Sequence, residues 1–445
     1  MMQKILKKSS LSSGLRLIAL CLFILFLHGC AALQNVHEQA WLPPGFPAED
    51  LEQNNFPVAK GDDVIGQLAV MKIAAGDTLP DIARHFSLGI NALRAANPGV
   101  DTWVPKAGQR IMLPLSFTLP DAPREGIVVN LATMRLFQFK GNGNTLAVST
   151  YPVGVGTNER PTPTGQMHVA RKATRPTWHV PASIAEDHRK KGDPLPAAVP
   201  PGPDNPLGEF ALYLSKPSYL IHGTNKPASI GMNATNGCLR LFPEDVQTLY
   251  NDTPVKTPVV IVSQPYLIGQ RGGVLYLEAH KPLDDSGSVE LEKAYARLRA
   301  IEKRTARALD WDRIEKILTE ARGIPVPIFE LNPGGQSGTP NPLEIAHPGA
   351  LFGRPEIPEL NAAAWYILAA DLRDETEARR LAAIINHQGP PIPARVLSKK
   401  DVHRVIAGPF QDGREATMTA RRLKIDLGLD GVVIAPDNQR SSKLQ

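Results

Sequence analysis

Residues 221–241 read IHGTNKPASIGMNATNGCLRL, and the rest of the chain is understood outward from this stretch. It holds His222 and Cys238. The 445-residue chain has three cysteines, Cys21, Cys30 and Cys238, and the first two fall in an N-terminal targeting segment. Cys238 is therefore the free thiol left for a folded site. A lone cysteine beside glycine with a histidine upstream is a candidate nucleophile and base. The thiolate is the attacking species, so the thiol needs a base or a positive neighbour. Gly237 suits a tight turn whose N–H groups converge on one point, which is how an oxyanion hole is built. A single cysteine is more often a small buried hydrophobe, and a single histidine more often structural. The surrounding residues have to decide between these readings.

His-Gly-Thr-Asn at 222–225, Ile-Gly-Met at 230–232 and Thr-x-Gly-Cys-x-Arg at 235–240 resemble the catalytic motif of the bacterial L,D-transpeptidases. The likeness runs from about Gly126 to about Pro282, through VGVGTNERPTPTGQMHV (153–169), WHVPASI (178–184) and PPGPDNPLGEFAL (200–212). It implies a mostly β catalytic domain that cross-links peptidoglycan through a cysteine acyl-enzyme. Cys238 would be the nucleophile and His222 the base. The N–H groups of the Asn236–Cys238 turn would hold the oxyanion, and the Gly223 carbonyl would orient the His222 ring. The family carries histidine directly before Gly-Cys, where this chain has Asn236. Asn236 cannot take up a proton, so tuning by a second imidazole is lost while nucleophile and base remain. Restoring histidine at 236 is expected to change little or to help. Arg240 reads equally as an ion-pair partner or as a contact for a substrate carboxylate.

Residues 1–29 read as a lipoprotein signal peptide. Lys4, Lys7, Lys8 and Arg16 precede the apolar run Leu17–Leu27, which is too short to span a bilayer. The run ends Leu27-His28-Gly29-Cys30, which resembles a lipobox with lipidation at Cys30, and Ala31-Ala32 in place of an aspartate implies outer-membrane sorting. The chain carries 49 basic and 44 acidic residues, and removing this segment's four basic residues leaves 45 against 44. A nearly neutral mature protein gives no reason to expect nucleic-acid binding. Residues 30–67 read as a polar tether with a reach of about 30 Å if flexible.

Residues 68–114 read as strand, two short helices and strand. GDTLPDIARHF (76–86), ANPGVD (96–101) and AGQRIMLP (107–114) resemble the LysM module, a βααβ fold that binds N-acetylglucosamine-containing glycans. Residues 126–265 form the expected catalytic domain. In it, Ile127–Lys140 reads as one strand, Gly141–Asn144 as a hairpin turn, and the proline-rich 193–208 as a long loop. Residues 266–324 read as a strand and helical extension, with Ser288 and Asp310 as helix caps. Residues 325–360 read as a Pro/Gly linker.

Residues 361–436 repeat one pattern twice: strand, Asp-x-x-Glu capping box, apolar helix face, strand. The boxes are Asp374/Glu377 and Asp412/Glu415. The βαββαβ order with HRVIAGPF (403–410) resembles the SPOR domain, which binds glycan strands stripped of stem peptides, often at the division site. The expected fold class is thus multidomain: an α+β LysM-like module, a mainly-β catalytic domain and an α+β SPOR-like domain.

Together the three resemblances imply a periplasmic enzyme, held to the outer membrane by lipid on Cys30, with peptidoglycan glycan strands and stem peptides as partners. The acceptor would be another stem peptide or a lysine on a wall-linked lipoprotein. No metal-ligand spacing is present, and the family needs no cofactor. Two alternatives stay open: a hydrolase resolving the same acyl-enzyme with water, and a non-catalytic glycan-binding scaffold. An activated Cys238 would label fast near neutral pH.

Overall fold

The computed structural model describes residues 53–142, 145–284, 286–331 and 341–436. The signal peptide, Cys30, the first part of the tether and residues 143–144 of the expected hairpin turn lie outside them. Among the described residues no helix is long and apolar enough to cross a membrane, and no histidine, cysteine and carboxylate cluster could hold a metal.

The centre is a nine-stranded sheet. In spatial order its strands are Asn55–Val58, Thr145–Pro152, Arg135–Asn142, Ile127–Asn130, Pro258–Val262, Gly165–Thr174, Phe210–Leu214, Leu220–His222 and Leu239–Arg240. Residues 127–140 are two strands rather than one, because the chain turns at Leu131–Met134 and pairs Ile127 with Gln138. Met134 takes a positive φ of 51° there, a conformation the side-chain alternation does not announce. Gly165–Thr174 is a central strand, and its mostly polar letters hide it.

The tether reading fails for residues 53–67. Asn55–Val58 adds to the sheet edge against Leu146–Ser149, where Pro57 is tolerated because an edge strand need not donate on both sides. The linker reading fails as well. Val326–Glu330 pairs with Val274–Leu277 in a three-stranded sheet backed by helices Gly287–Thr305 and Trp311–Glu320. Leu343–Glu344 pairs in parallel with Ala69–Val70, and Ile345 and Leu351 are buried beyond it. Short alternating runs were masked by the prolines and glycines around them. The first extension helix begins two residues earlier than expected, with Ser286 at the N-cap position but no side-chain capping bond, while Asp310 accepts from the Arg313 N–H as its position suggests.

In the LysM-like unit, Ala69–Lys72 pairs with Arg110–Leu113, and between them run helices Leu79–His85 and Ile90–Ala96. Thr78 caps the first, accepting from the Asp81 N–H at 3.2 Å. Its core continues into the large sheet: Leu79, Phe86, Leu88 and Leu93 share one cluster with Val128, Phe137, Phe139 and Val148. The C-terminal domain has its own core and a four-stranded sheet in the order Ala394–Lys399, Val402–Phe410, Trp365–Leu372, Val432–Ile434. Asp374 and Asp412 each cap their helix. Glu415 also accepts from the Gln411 N–H, one residue before the position a full capping box uses.

Candidate active site

The strands Leu220–His222 and Leu239–Arg240 run parallel, pairing Ile221 with Leu239 and His222 with Arg240. Alternation sends Ile221 and Leu239 into the core and places His222 and Arg240 on the opposite face, and Cys238 immediately precedes the second strand.

His222 is 4% exposed. Its Nδ1 lies 2.7 Å from the Gly223 carbonyl, which can only accept, so Nδ1 carries the proton and Nε2 is left as the base. Burial and the Arg240 charge push its pKa down to about 3, against the opposing pull of the Gly223 and Leu207 carbonyls. Burial pushes the Cys238 thiol up, partly offset by the Leu220 N–H and by Arg240. At neutral pH the pair therefore rests as thiol and neutral imidazole. The two are not bonded to each other in this state; the Cys238 thiol donates to the Ser218 carbonyl at 3.5 Å. Fast labelling of a resting thiolate is accordingly not expected, and labelling near neutral pH does not separate enzyme from scaffold.

The turn before Cys238 is held by two threonines. Thr235 Oγ1 accepts from the Gly237 N–H at 3.2 Å and donates to the Cys238 carbonyl at 2.7 Å. Thr162 Oγ1 donates to the Gly237 carbonyl and accepts from the Gly156 N–H, both at 2.9 Å. Gly237 has φ of 101°, and a Cβ there would lie 2.9 Å from the Tyr219 ring, so glycine is required on two counts. With its N–H spent on Thr235, Gly237 is removed from the set of oxyanion donors in this state.

Arg240 donates from Nη1 to Ser229 Oγ at 3.0 Å, and its buried Nε has no hydrogen-bond partner. Among the described residues no carboxylate pairs with it. Ser229 in turn stands in a loop whose Ile230 carbonyl accepts from Ile90 N–H of the LysM-like unit.

Residues 176–208 form a cover that reaches the site through Arg160, which bonds both Asp187 and Asn236, and through the close approach of Gly208 to Gly223. Its helix Ala182–Lys190 was not legible as such, although Pro181 and the basic residues of its last turn mark its ends. The loop 193–208 contains the short strand Ala198–Val199, paired with Trp178–His179. Asn205 staples it internally, its amide donating to the Pro176 carbonyl at 2.8 Å and its Oδ1 accepting from Leu207. Ser218, Thr162, Arg160, Ser229 and Asn205 were not singled out from sequence, while Thr235 is the first residue of the Thr-x-Gly-Cys-x-Arg motif. Several of their contacts cross long stretches of chain, and no local pattern marks them.

Comparison with known proteins agrees with this architecture. Residues 124–261 match the family model described as the L,D-transpeptidase catalytic domain, residues 71–114 that of the LysM domain, and residues 361–435 that of the SPOR domain. The chain is 40% identical over 227 residues to the probable L,D-transpeptidase YbiS of Escherichia coli strain K12, a match covering 50% of this chain and 73% of that one. It is 34% identical to the probable L,D-transpeptidase ErfK/SrfK of Salmonella typhimurium, over 66% of this chain and 99% of the relative. The chain belongs to the L,D-transpeptidase family.

Proposed function

We propose that this transpeptidase works through a cysteine acyl-enzyme, with Cys238 as nucleophile and His222 as general base and acid. The reading is supported by the parallel pairing of the His222 strand with the strand that begins directly after Cys238, and by Nδ1 of His222 lying 2.7 Å from the Gly223 carbonyl. His222 Nε2 takes the thiol proton as Sγ bonds to the carbonyl carbon between the third residue of a stem tetrapeptide and its terminal D-Ala. The C–N bond breaks, and His222 returns the proton to the departing D-Ala amine. An incoming amine then attacks the thioester, gives a proton to His222, and Cys238 leaves as the thiol. The N–H groups of Asn236 and Cys238 hold the oxyanion, Gly237 contributing only if its bond to Thr235 opens. The unpartnered, buried Nε of Arg240 favours its role as a contact for a substrate carboxylate. The LysM and SPOR domains hold the cleft on peptidoglycan in the periplasm, and lipid on Cys30 anchors the chain to the outer membrane. Linking such binders to the enzyme raises the local substrate concentration.

Mass spectrometry of wall fragments treated with purified protein tests this. Tetrapeptide stems should lose D-Ala and appear in dimers joined through third residues, or coupled to a lipoprotein lysine. Cys238→Ala should abolish the change. Tripeptides without adducts would make water the acceptor, and unchanged fragments would leave the scaffold.

A further inference from the structure

Asn236 occupies the position where the family carries histidine, and the structure gives it a specific partner. Its Oδ1 accepts from Arg160 Nη1 at 2.6 Å, and Nη2 of the same guanidinium donates to Asp187 Oδ2 at 2.5 Å. One planar group thus joins three segments: the turn before Cys238, the loop 157–162 and the cover helix Ala182–Lys190.

That helix buries none of its side chains, so apolar packing does little to hold it. Its other ion pairs are internal to the cover: Arg189 and Lys190 with Glu186, and His188 with Asp193. Arg160 ties the helix to the catalytic body through Asp187. The loop that carries Arg160 also grips the nucleophile turn directly. Thr162 holds the Gly237 carbonyl, and the Pro161 and Arg160 carbonyls lie within 3.6 Å of where a Gly237 Cβ would stand. A shift in Arg160 is therefore felt at Gly237 by both side chain and backbone.

We propose that Arg160 is a positioning residue of the transfer reaction. Its guanidinium fork fixes the Asn236–Cys238 turn and the cover helix in one arrangement, and Asn236 is the acceptor that fork requires. The chemistry of the pairing supports this. An amide oxygen accepts at every pH, whereas an imidazole must offer an unprotonated nitrogen and loses it on protonation. A guanidinium presents two donors in fixed directions to two acceptors, which an ammonium on a flexible stem does not. Asp187 balances the Arg160 charge, so the clamp orders the turn without adding net charge. Asn236 is then a matched residue rather than a sign of decay, which reverses the sequence expectation for Asn236→His. That variant should lose activity as pH falls through the imidazole range.

The inference rests on the proposed acyl transfer at Cys238, but half of its test does not. With the full chain, Arg160→Met, Arg160→Lys, Asp187→Asn and Asn236→Ala are compared, the last two also in the Arg160→Met background. In the transfer assay Arg160→Met should lower kcat by about 10- to 100-fold, the cost of a misplaced reacting group. KM should move by less than about threefold, since ground-state binding is left intact. Arg160→Lys should recover only part of the loss. In the Arg160→Met background each second change should cost less than about twofold, because the interaction is already gone. Independently of activity, hydrogen exchange in Arg160→Met should rise together in 182–190 and 235–238 and stay unchanged in 365–434. Exchange rising in the helix alone, an unaltered kcat, or effects that multiply independently would overturn the proposal. A wild-type chain without transfer activity would defeat the proposed function instead, and the exchange result would still decide the clamp.

Discussion

The LysM domain packs on the catalytic domain and the SPOR domain docks mainly on the LysM domain, through different physics. The LysM contact is a continuous apolar core: Phe86, Leu88 and Ile90 lie in one cluster with Phe137, Phe139 and Val148 of the central sheet. Backbones meet there as well. Ile90 N–H donates to the Ile230 carbonyl at 3.0 Å, and a Cβ on Gly231 would fall 2.3 Å from the Gly89 Cα. The SPOR contact is polar. Arg380 pairs with Asp101 of the LysM domain at 2.6 Å, His387 sits 3.0 Å from Asp81 and 3.4 Å from Thr78, and the His387 and Trp103 rings pack with centroids 5.3 Å apart. Arg421 reaches the Gly192 carbonyl of the cover at 2.6 Å. A shared core cannot separate without exposing its apolar surface to water, whereas a polar dock with its own core behind it resembles an association interface. Two domains that read alike in sequence as binding modules therefore differ in standing: one is a wall of the enzyme, the other a docked neighbour.

The sharpest way to break this contrast is to damage the two cores in parallel. Phe137→Ala removes a ring that is 1% exposed within the shared cluster, and should cost about 3–5 kcal/mol. LysM and catalytic domains should then melt earlier as a single calorimetric transition. Ile385→Ala, at a fully buried site in the SPOR core, should cost about 2–5 kcal/mol and lower a separate transition only. A LysM domain that melts on its own in the Phe137 variant would undo the distinction.

A second effect sits inside the seam. Asp245 is buried beneath the LysM domain, where Ser87 Oγ donates to it at 3.2 Å and Arg135 holds the Ser87 carbonyl at 3.0 Å. Burial, reinforced by the neighbouring Glu244, raises its pKa from 3.8 to about 7, despite the opposing pull of Ser87, Arg135 and Arg84. The folded state thus holds this proton more tightly than the unfolded chain. Wild-type stability should fall as pH rises from about 4 to about 7 and level off above that range. Asp245→Asn should be near neutral at pH 4 and stabilise by a few kcal/mol, roughly, at pH 8. Denaturant unfolding across that range checks it, and an equal effect at both pH values would show that Asp245 is not protonated in the fold.

How far these features were legible differs by type. The repeated Asp-x-x-Glu signals and the helix periodicity of 361–436 are local, and the elements appear where those residues place them. The pairing of the His222 strand with the strand that follows Cys238 was legible only as a motif, since it joins strands separated by a long loop. The strands at Asn55–Val58 and Val326–Glu330 were hidden because each is short, carries proline, and gains its pairing from a partner distant in sequence. The Arg160–Asn236 bond spans 76 residues, and nothing near either residue announces it.

The smallest expected effects lie in the dock, where they depend on salt as well as on pH. Asp81 and Asp101 are both held below the ordinary carboxylate range. For Asp81 burial pushes upward but is outweighed by His387 and Thr78; for Asp101 burial is outweighed by the Val104 and Trp103 N–H groups and by Arg380. Carboxyls with depressed folded pKa values contribute stability that is present above the unfolded value of 3.8 and is lost as pH falls through the folded one. The dock should therefore hold at neutral pH and open in acid, while the apolar LysM seam stays closed. Arg380 is about a quarter exposed and its pair with Asp101 is screened by salt, so Arg380→Ala should loosen the contact only slightly on its own. His387→Ala removes a ring wedged between Asp81, Thr78 and Trp103 and should loosen the contact further in combination. Limited proteolysis within 353–361, the segment leading into the SPOR domain, reads the opening directly. Cleavage should rise modestly for each single variant, more for the double variant, and again at high salt, with the SPOR core itself still resistant. Cleavage that ignores both salt and the two substitutions would mean that the domain is held by something other than these ion pairs, and the contrast with the LysM seam would narrow to a difference of degree.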